Sequence, residues 1–178
     1  MQVAKFEDSL YTRLIYVMGS AEAVSSSGDV FIDVGDDYFQ QFQQDLVIIF
    51  TIKTLSGLEL EVRLDETVPS DTDILLSMQM PFVVKGDEVT PEGDRGALIV
   101  LGNICPTVAI PKGDYLLTVY QTFTGEYPLS GHSENVSDED KLWDPDVPIL
   151  MRMYFNSVDS AEGIAAKSHW HPSKEFGR

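Results

Sequence analysis

Short apolar segments with the spacing of β-strands follow one another along most of the chain, and no stretch keeps a helical period beyond a turn or two. Residues 46–52 are β-branched and almost wholly apolar, which is typical of a strand buried on both faces. Residues 58–64 alternate apolar and charged side chains, the pattern of a strand with one face in water. Further strands are predicted at residues 12–17, 30–34, 74–84, 97–101, 107–110, 115–123 and 149–155. Many short strands joined by Gly- and Pro-rich turns favour an all-β fold, an antiparallel β-sandwich, over an α/β enzyme fold.

Two turns are predicted to close hairpins. Ser56 and Gly57 separate the strands at 46–52 and 58–64, and Pro111 to Gly113 separate those at 107–110 and 115–123. Pro111 presets φ for the first turn position, and Gly113 can adopt the left-handed conformation that ends a three-residue loop. The modest helix candidates are residues 7–16 and 160–168.

Length and composition indicate one domain over residues 1–158, followed by a polar tail over 159–178. A chain of 178 residues can bury a substantial core. Its single cysteine, Cys105, cannot form an internal disulfide, which fits a cytoplasmic protein. No apolar run is long enough to cross a bilayer, and the acidic start of the chain does not resemble a signal peptide. We therefore expect a soluble cytoplasmic protein without membrane insertion.

The charge of the chain restricts its partners. With 12 Lys and Arg against 29 Asp and Glu, the formal net charge is −17. DNA and anionic lipid surfaces repel such a chain, which argues against direct binding to nucleic acid or membrane. A basic protein would be attracted and steered towards it, so a basic protein is the expected kind of partner.

Acidic side chains concentrate in two parts of the chain. No Lys or Arg lies between Arg13 and Lys53, where the acidic residues are Glu22, Asp29, Asp33, Asp36, Asp37 and Asp45. Residues 125–148 have no strand pattern and are predicted to form a long acidic loop before the last strand. The acidic residues of that loop include Glu134, Asp138, Glu139, Asp140, Asp144 and Asp146, alongside Lys141.

Aromatic residues lie among these carboxylates, which is typical of protein interfaces. Tyr38, Phe39 and Phe42 follow Asp36 and Asp37. In the acidic loop, Trp143 lies between Asp140 and Asp144. The predicted partner-binding residues are Asp36, Asp37, Tyr38, Asp138, Glu139, Asp140, Trp143 and Asp144. A surface selected for solubility, with the aromatic rings packed in the core, is the alternative.

The sequence carries none of the common catalytic signatures, neither a Gly-rich phosphate loop nor a nucleophile elbow nor a paired-cysteine motif. A Cys105 nucleophile with His132 as its base is conceivable, but Cys105 is better interpreted as a small buried apolar residue. His169 and His171 could pair on a metal, although a solvated tail is the simpler interpretation. The acids at positions 29–37 and 138–140 lack the spacing of a calcium loop. We predict no catalytic activity, no cofactor and no metal.

Three segments carry a family resemblance. Residues 80–84 (Met-Pro-Phe-Val-Val), 86–89 (Gly-Asp-Glu-Val) and 110–118 (Ile-Pro-Lys-Gly-Asp-Tyr-Leu-Leu-Thr) resemble the competence protein J family of bacterial nuclease inhibitors. The resemblance covers residues 46–123, and the chain departs from it in the acidic insertion after Gly125 and the C-terminal tail. It implies a small acidic, immunity-type protein that binds and silences a DNA-degrading nuclease, either the DNA-entry nuclease or a related toxin.

The residues also admit other functions. The chain could be a non-catalytic adaptor, for which the acidic charge would be incidental. It could also be a sugar- or calcium-binding module in which Trp143, Trp170 and tyrosine rings stack on a ligand.

Overall fold

In a computed structural model, the described part of the chain forms two β-sheets and one short helix. The structure describes residues 1–8, 14–27, 39–51, 57–70, 74, 76–101, 104–123 and 149–170. The strands are β1 (Gln2–Asp8), β2 (Leu14–Met18), β3 (Phe39–Gln43), β4 (Leu46–Phe50), β5 (Leu58–Leu64), β6 (Leu76–Val84), β7 (Ala97–Leu101), β8 (Thr107–Val108), β9 (Gly113–Phe123), β10 (Ile149–Val158) and β11 (Lys167–Trp170). Helix α1 (Ala21–Ser27) lies between β2 and β3. The described part of the chain contains no helix long and apolar enough to cross a membrane.

The strands are divided between a six-stranded and a five-stranded sheet. The six-stranded sheet has the order β1-β5-β10-β9-β6-β11, and the five-stranded sheet has the order β3-β4-β2-β7-β8. The prediction of antiparallel pairing throughout is wrong at one position, since β10 pairs with β5 in parallel. Strand β10 lies between β5 and β9, which are distant from each other in sequence. It pairs in parallel with β5 and antiparallel with β9. The predicted all-β character is confirmed as two sheets with little helix.

Apolar side chains from both sheets share one hydrophobic core. Ile15 and Ile49 come from the five-stranded sheet, and Met80, Phe82 and Phe155 from the six-stranded sheet. The rings of Phe82 and Phe155 meet edge to face with centroids 5.7 Å apart. Such aromatic pairs add about 0.5–1.5 kcal/mol to the effect of burial. Both sheets therefore contribute to the same core.

Both predicted hairpins are wrong. Strands β4 and β5 follow one another in sequence but lie in different sheets, and so do β8 and β9. Gly113 begins β9 and does not adopt the left-handed conformation. Turn residues indicate where a chain reverses, but they do not specify whether it returns in the same sheet or crosses to the other.

Several elements differ from the sequence predictions. The predicted helix at residues 7–16 is wrong where the chain is described, because β1 and β2 occupy its ends. Helix α1 was not predicted, and it begins where the Ser20 hydroxyl accepts a hydrogen bond of 2.9 Å from the Ala23 amide. Strand β11 lies in the segment predicted to be a polar tail and includes part of the other predicted helix. The strand predicted at residues 30–34 lies outside the described residues.

Candidate interaction surface

The ends of several strands meet at one end of the two sheets, where Gln121 of β9 reaches Phe50 of β4. The Gln121 Nε2 donates a hydrogen bond of 2.7 Å to the Phe50 carbonyl oxygen, across 71 residues of sequence. Because β9 belongs to the six-stranded sheet and β4 to the five-stranded sheet, this contact joins the two sheets. We call this region, defined by Phe50 and Gln121, the Gln121 end.

Gln121 is a polar residue at a core-facing position. Tyr115, Leu117 and Val119 precede it at alternate positions of β9 and contribute to the core, and Gln121 itself is fully buried. A buried amide without partners costs roughly 1–3 kcal/mol, so the bond to Phe50 removes a penalty as well as joining the sheets. The sequence analysis did not single out this residue. The sequence signal that could have identified it is the polar residue itself, which occupies the fourth alternate position of β9 after the core residues Tyr115, Leu117 and Val119.

Both acidic segments of the sequence adjoin strands at the Gln121 end. The segment 124–148 connects Phe123 to Ile149, and these two residues pair directly in the ladder between β9 and β10. The segment 28–38 leads into Phe39, which pairs with Ile49 of β4, next to Phe50. Two acidic stretches about a hundred residues apart in sequence are therefore attached to neighbouring strand ends.

The residues predicted to bind a partner lie outside the described part of the chain. All eight fall within the two acidic segments: Asp36, Asp37, Tyr38, Asp138, Glu139, Asp140, Trp143 and Asp144. The structure therefore locates the strands to which they are attached, while their assignment to an interface remains a prediction.

Carboxylates also lie on the outer face of the six-stranded sheet near this end. Glu7 of β1 is directly opposite Glu59 of β5. Lys5 lies between them, with its Nζ 3.4 Å from Glu59 Oε2 and 3.6 Å from Glu7 Oε1. The hydrogen bond and charge of Glu59, and then the charge of Glu7, raise the pKa of Lys5. Two carboxylates share one ammonium, so this edge of the sheet carries a net negative charge.

Further along the same face, two arginines are held by internal carboxylates. Glu61 accepts hydrogen bonds from Arg63 at 2.9 Å and from Arg152 at 3.1 Å, and Arg63 also donates to Glu66. Burial raises the pKa of Glu61, but the two arginines together outweigh burial and hold that pKa below its usual value. This network links β5 to β10 across their parallel pairing. Its arginines are neutralised within the protein.

At the opposite end of the sheets, the buried carboxylate of Asp45 forms an ion pair with the exposed side chain of Lys85. Lys85 Nζ lies 2.7 Å from Asp45 Oδ2 and 3.2 Å from Glu22 Oε2, and the Ser20 hydroxyl donates to the Asp45 carboxylate. Burial raises the pKa of Asp45, but the hydrogen bonds from Lys85 and Ser20 outweigh it, and the net shift is downwards. Asp45 and Glu22, which the sequence placed in a stretch without compensating bases, thus share the single ammonium group of Lys85, which follows β6. We call this region the Lys85 end.

Of the other sequence candidates, the structure describes Cys105 and His169. Cys105 is exposed, so the prediction of a buried thiol is wrong: β8 begins two residues later and the thiol lies outside the core. His169 is exposed on β11, whereas His132 and His171 lie outside the described residues, as do the two acidic groups considered for calcium. Within the described ranges, no group of three or more His, Cys, Asp or Glu side chains is arranged to hold a metal ion.

The described residues define a mostly β protein of two sheets, with two acidic segments attached at one end. No protein-family model matches the chain, and no curated protein matches it. Among solved structures, it is similar to the crystal structure of ComJ, inhibitor of the DNA degrading activity of NucA, from Bacillus subtilis. The TM-score is 0.55 at 14% identity, over 89% of this chain and 98% of ComJ. The likeness shows a shared fold.

A second solved structure, described as Crocagin biosynthetic gene J, covers 85% of this chain and 95% of its own length. Its TM-score is 0.41 at 12% identity, which is too remote to carry an argument.

Proposed function

We propose that this protein is a non-catalytic inhibitor that binds a nuclease in the cytoplasm and blocks its basic cleft. In this proposal the two sheets form a β-sandwich, and its Gln121 end carries the surface that meets the nuclease. The observation that carries the proposal is the Gln121 to Phe50 hydrogen bond. This bond joins the ends of β9 and β4, and both acidic segments are attached close to these ends. The arrangement supports one shared acidic surface over two separate ones.

The proposed contact surface consists of the eight residues that the sequence singled out: Asp36, Asp37, Tyr38, Asp138, Glu139, Asp140, Trp143 and Asp144. A nuclease must hold phosphates in a basic cleft, and carboxylates can occupy such a cleft by imitating the charge of its substrate. Carboxylate oxygens are also suitable ligands for a magnesium or calcium ion in the nuclease. Tyr38 and Trp143 would supply the aromatic anchors that carry much of the energy of an interface.

The distribution of cations in the described residues agrees with this surface. Lys5, Arg63, Lys85 and Arg152 each pair with a carboxylate of the same chain. These four cations therefore add little uncompensated positive charge for a basic partner to meet. The shared fold with ComJ, which inhibits NucA, supports a nuclease as the class of partner.

The test is a charge-reversal experiment on DNA degradation. The variant Asp138→Lys, Glu139→Lys, Asp140→Lys is compared with the unaltered protein in an assay with NucA and with any basic nuclease that the protein retains from its host lysate at low salt. Close charge pairs at interfaces couple by about 1.5–7 kcal/mol, so three reversals should weaken inhibition by at least about 100-fold. Moderate salt should weaken the unaltered complex as well.

A matched control separates local contacts from net charge. The variant Glu92→Lys, Asp159→Lys, Glu162→Lys makes the same change in net charge with exposed residues of loops at the Lys85 end. It should inhibit nearly as well as the unaltered protein. Equal inhibition by both variants would contradict the proposed surface, and failure to inhibit or retain any nuclease would contradict the proposed function.

A further inference from the structure

A groove runs along the outer face of the six-stranded sheet between β11, β6 and β9. On β11, Lys167 lies opposite Gln79 of β6, and His169 lies opposite Ser77. Ser77 in turn lies opposite Tyr120 of β9. Because Leu76, Met78 and Met80 contribute to the core, Ser77 and Gln79, which alternate with them, face outwards. Two neighbouring rows of polar side chains thus cross three strands.

The space above these rows has a volume of about 260 Å³. It is lined by Ser77, Gln79, Tyr120, Lys167, Ser168 and His169. None of these residues is acidic, in a chain where Asp and Glu outnumber Lys and Arg by more than two to one. The volume is slightly below the range of drug-sized pockets, about 300–1,000 Å³, so the groove suits a small molecule.

The charge of the groove comes from Lys167. This side chain is exposed and has no ion-pair partner among the described residues, in contrast to Lys5, Lys85 and Arg152. Ser77 and Gln79 add neutral donors on the same face of the sheet. An uncompensated cation beside several donors is the environment that binds a phosphate or a carboxylate.

The groove also has an apolar part. Most of its exposed lining is carbon, and the ring of Tyr120 contributes to it. The Tyr120 ring is held edge to face against Tyr154, with centroids 6.0 Å apart. Burial raises the pKa of Tyr120, so its hydroxyl stays protonated at neutral pH and can donate a hydrogen bond. The groove therefore offers a fixed aromatic surface next to its charged part.

We propose that this groove binds a small anionic molecule, in which a phosphate or carboxylate group is attached to an apolar ring. Lys167 is the counter-charge, the hydroxyl and amide groups orient the anion, and the ring packs against carbon atoms of Tyr120. None of the residues that line this site belongs to the two acidic segments, although Ser77 and Tyr120 lie next to the Gln121 end.

The test is a titration followed by amide and side-chain NMR, with phenyl phosphate, benzoate and neutral benzyl alcohol as probes. The two anions should shift the resonances of Ser77, Tyr120 and His169 at millimolar concentration, and benzyl alcohol should bind at least about tenfold more weakly. A preference for phenyl phosphate over benzoate, or the reverse, would identify the anionic group.

Two lysine variants decide whether the groove is responsible. Lys167→Ala should weaken binding of the anions by about tenfold. The control is Lys112→Ala. Lys112 is also exposed and has no ion-pair partner in the described ranges, but it lies at the Lys85 end, so this variant should leave binding unchanged. Equal effects of the two variants, equal binding of benzyl alcohol, or no shift with either anion would overturn the proposal.

Discussion

The Gln121 side chain donates to the backbone carbonyl of Phe50 at 2.7 Å, and this bond fixes the distance between the ends of β9 and β4. Gln121 is fully buried, so its amide cannot exchange this partner for water. A surface amide could be lost at little cost, whereas a buried one leaves its partner without a hydrogen bond. The contact is therefore both a structural tie between the sheets and the scaffold for the proposed inhibitory surface.

Replacing Gln121 with Leu should lower the free energy of unfolding by about 1–3 kcal/mol, because the Phe50 carbonyl oxygen loses a buried donor. Urea denaturation measures the change. The control is Gln79→Leu, which removes a half-buried amide whose bond to Thr118 is 3.4 Å long. That variant should lose less than about 0.5 kcal/mol. An equal loss of stability in the two variants would mean that the Gln121 to Phe50 hydrogen bond stabilises the fold no more than the half-buried amide of Gln79 does.

Replacing Lys85 with Met should lower the free energy of unfolding at neutral pH by about 2 kcal/mol or more, because it leaves the Asp45 carboxylate buried without a cation. The control is Glu22→Gln, which disrupts the exposed part of the cluster and should change stability by less than about 0.5 kcal/mol.

The effect of Lys85→Met should also depend on pH. In the unaltered protein the pKa of Asp45 is lower in the folded state than in the unfolded chain, so its stabilising contribution is present above about pH 4 and is lost as pH falls through the folded pKa. In the variant, burial without Lys85 raises the pKa of Asp45. Protonation of the carboxyl group at low pH then removes the cost of burying its charge. The difference in stability between the two proteins should narrow between pH 7 and pH 3, as measured by urea denaturation. A difference that does not change with pH would contradict this account.

Replacing Gly19 with Ala should destabilise the protein by about 1–3 kcal/mol, because the added methyl group would overlap the Val83 carbonyl oxygen. The backbone there has little freedom to move: Val83 donates to Gln44 at 2.9 Å, and Lys85 donates to Gly19 at 2.8 Å. The control is Gly113→Ala, where the nearest atoms are 3.7 Å away and the change should be small. Thermal unfolding compares the two variants. If Gly19→Ala were as stable as the unaltered protein, the backbone around Val83 would be able to shift away from the methyl group.

The thiol of Cys105 should react with Ellman's reagent in the folded protein at a rate within about tenfold of that in denaturant, because the residue is exposed. A buried thiol would be protected by the equilibrium of unfolding, which for typical domains amounts to several orders of magnitude. Cys105→Ser should abolish the reaction, since the chain has one cysteine. Strong protection in the folded state would contradict the exposed position.

Local patterns in the sequence were sufficient to predict most of the long strands. In β5, Glu59, Glu61 and Arg63 lie outwards between the core positions of Leu58, Leu60 and Val62, as their alternation predicts. In β4, Leu46 to Ile49 are all buried, as expected for a continuous apolar run. Each of these predictions depends on neighbours within a few residues, and the structure agrees there.

Partners distant in sequence could not be predicted. The Asp45 carboxylate appeared uncompensated because its lysine lies forty residues further along, beyond a strand of the other sheet. The polar position of Gln121 was visible in the alternation of β9, but its acceptor is a backbone carbonyl, a group that every residue carries. Strand β1 was missed because it is polar at both ends and paired with a strand at least fifty residues away.

The position of β10 has a consequence for the order in which the protein can fold. This strand occupies the middle of the six-stranded sheet, between β5 and β9, although it is nearly the last to be synthesised. Until residues 149–158 leave the ribosome, β1 with β5 and β9 with β6 can form only separate fragments with open edges. Parallel pairing between residues about ninety positions apart adds a high loop-closure cost. We expect slow folding that completes after translation, with aggregation competing while those edges are open.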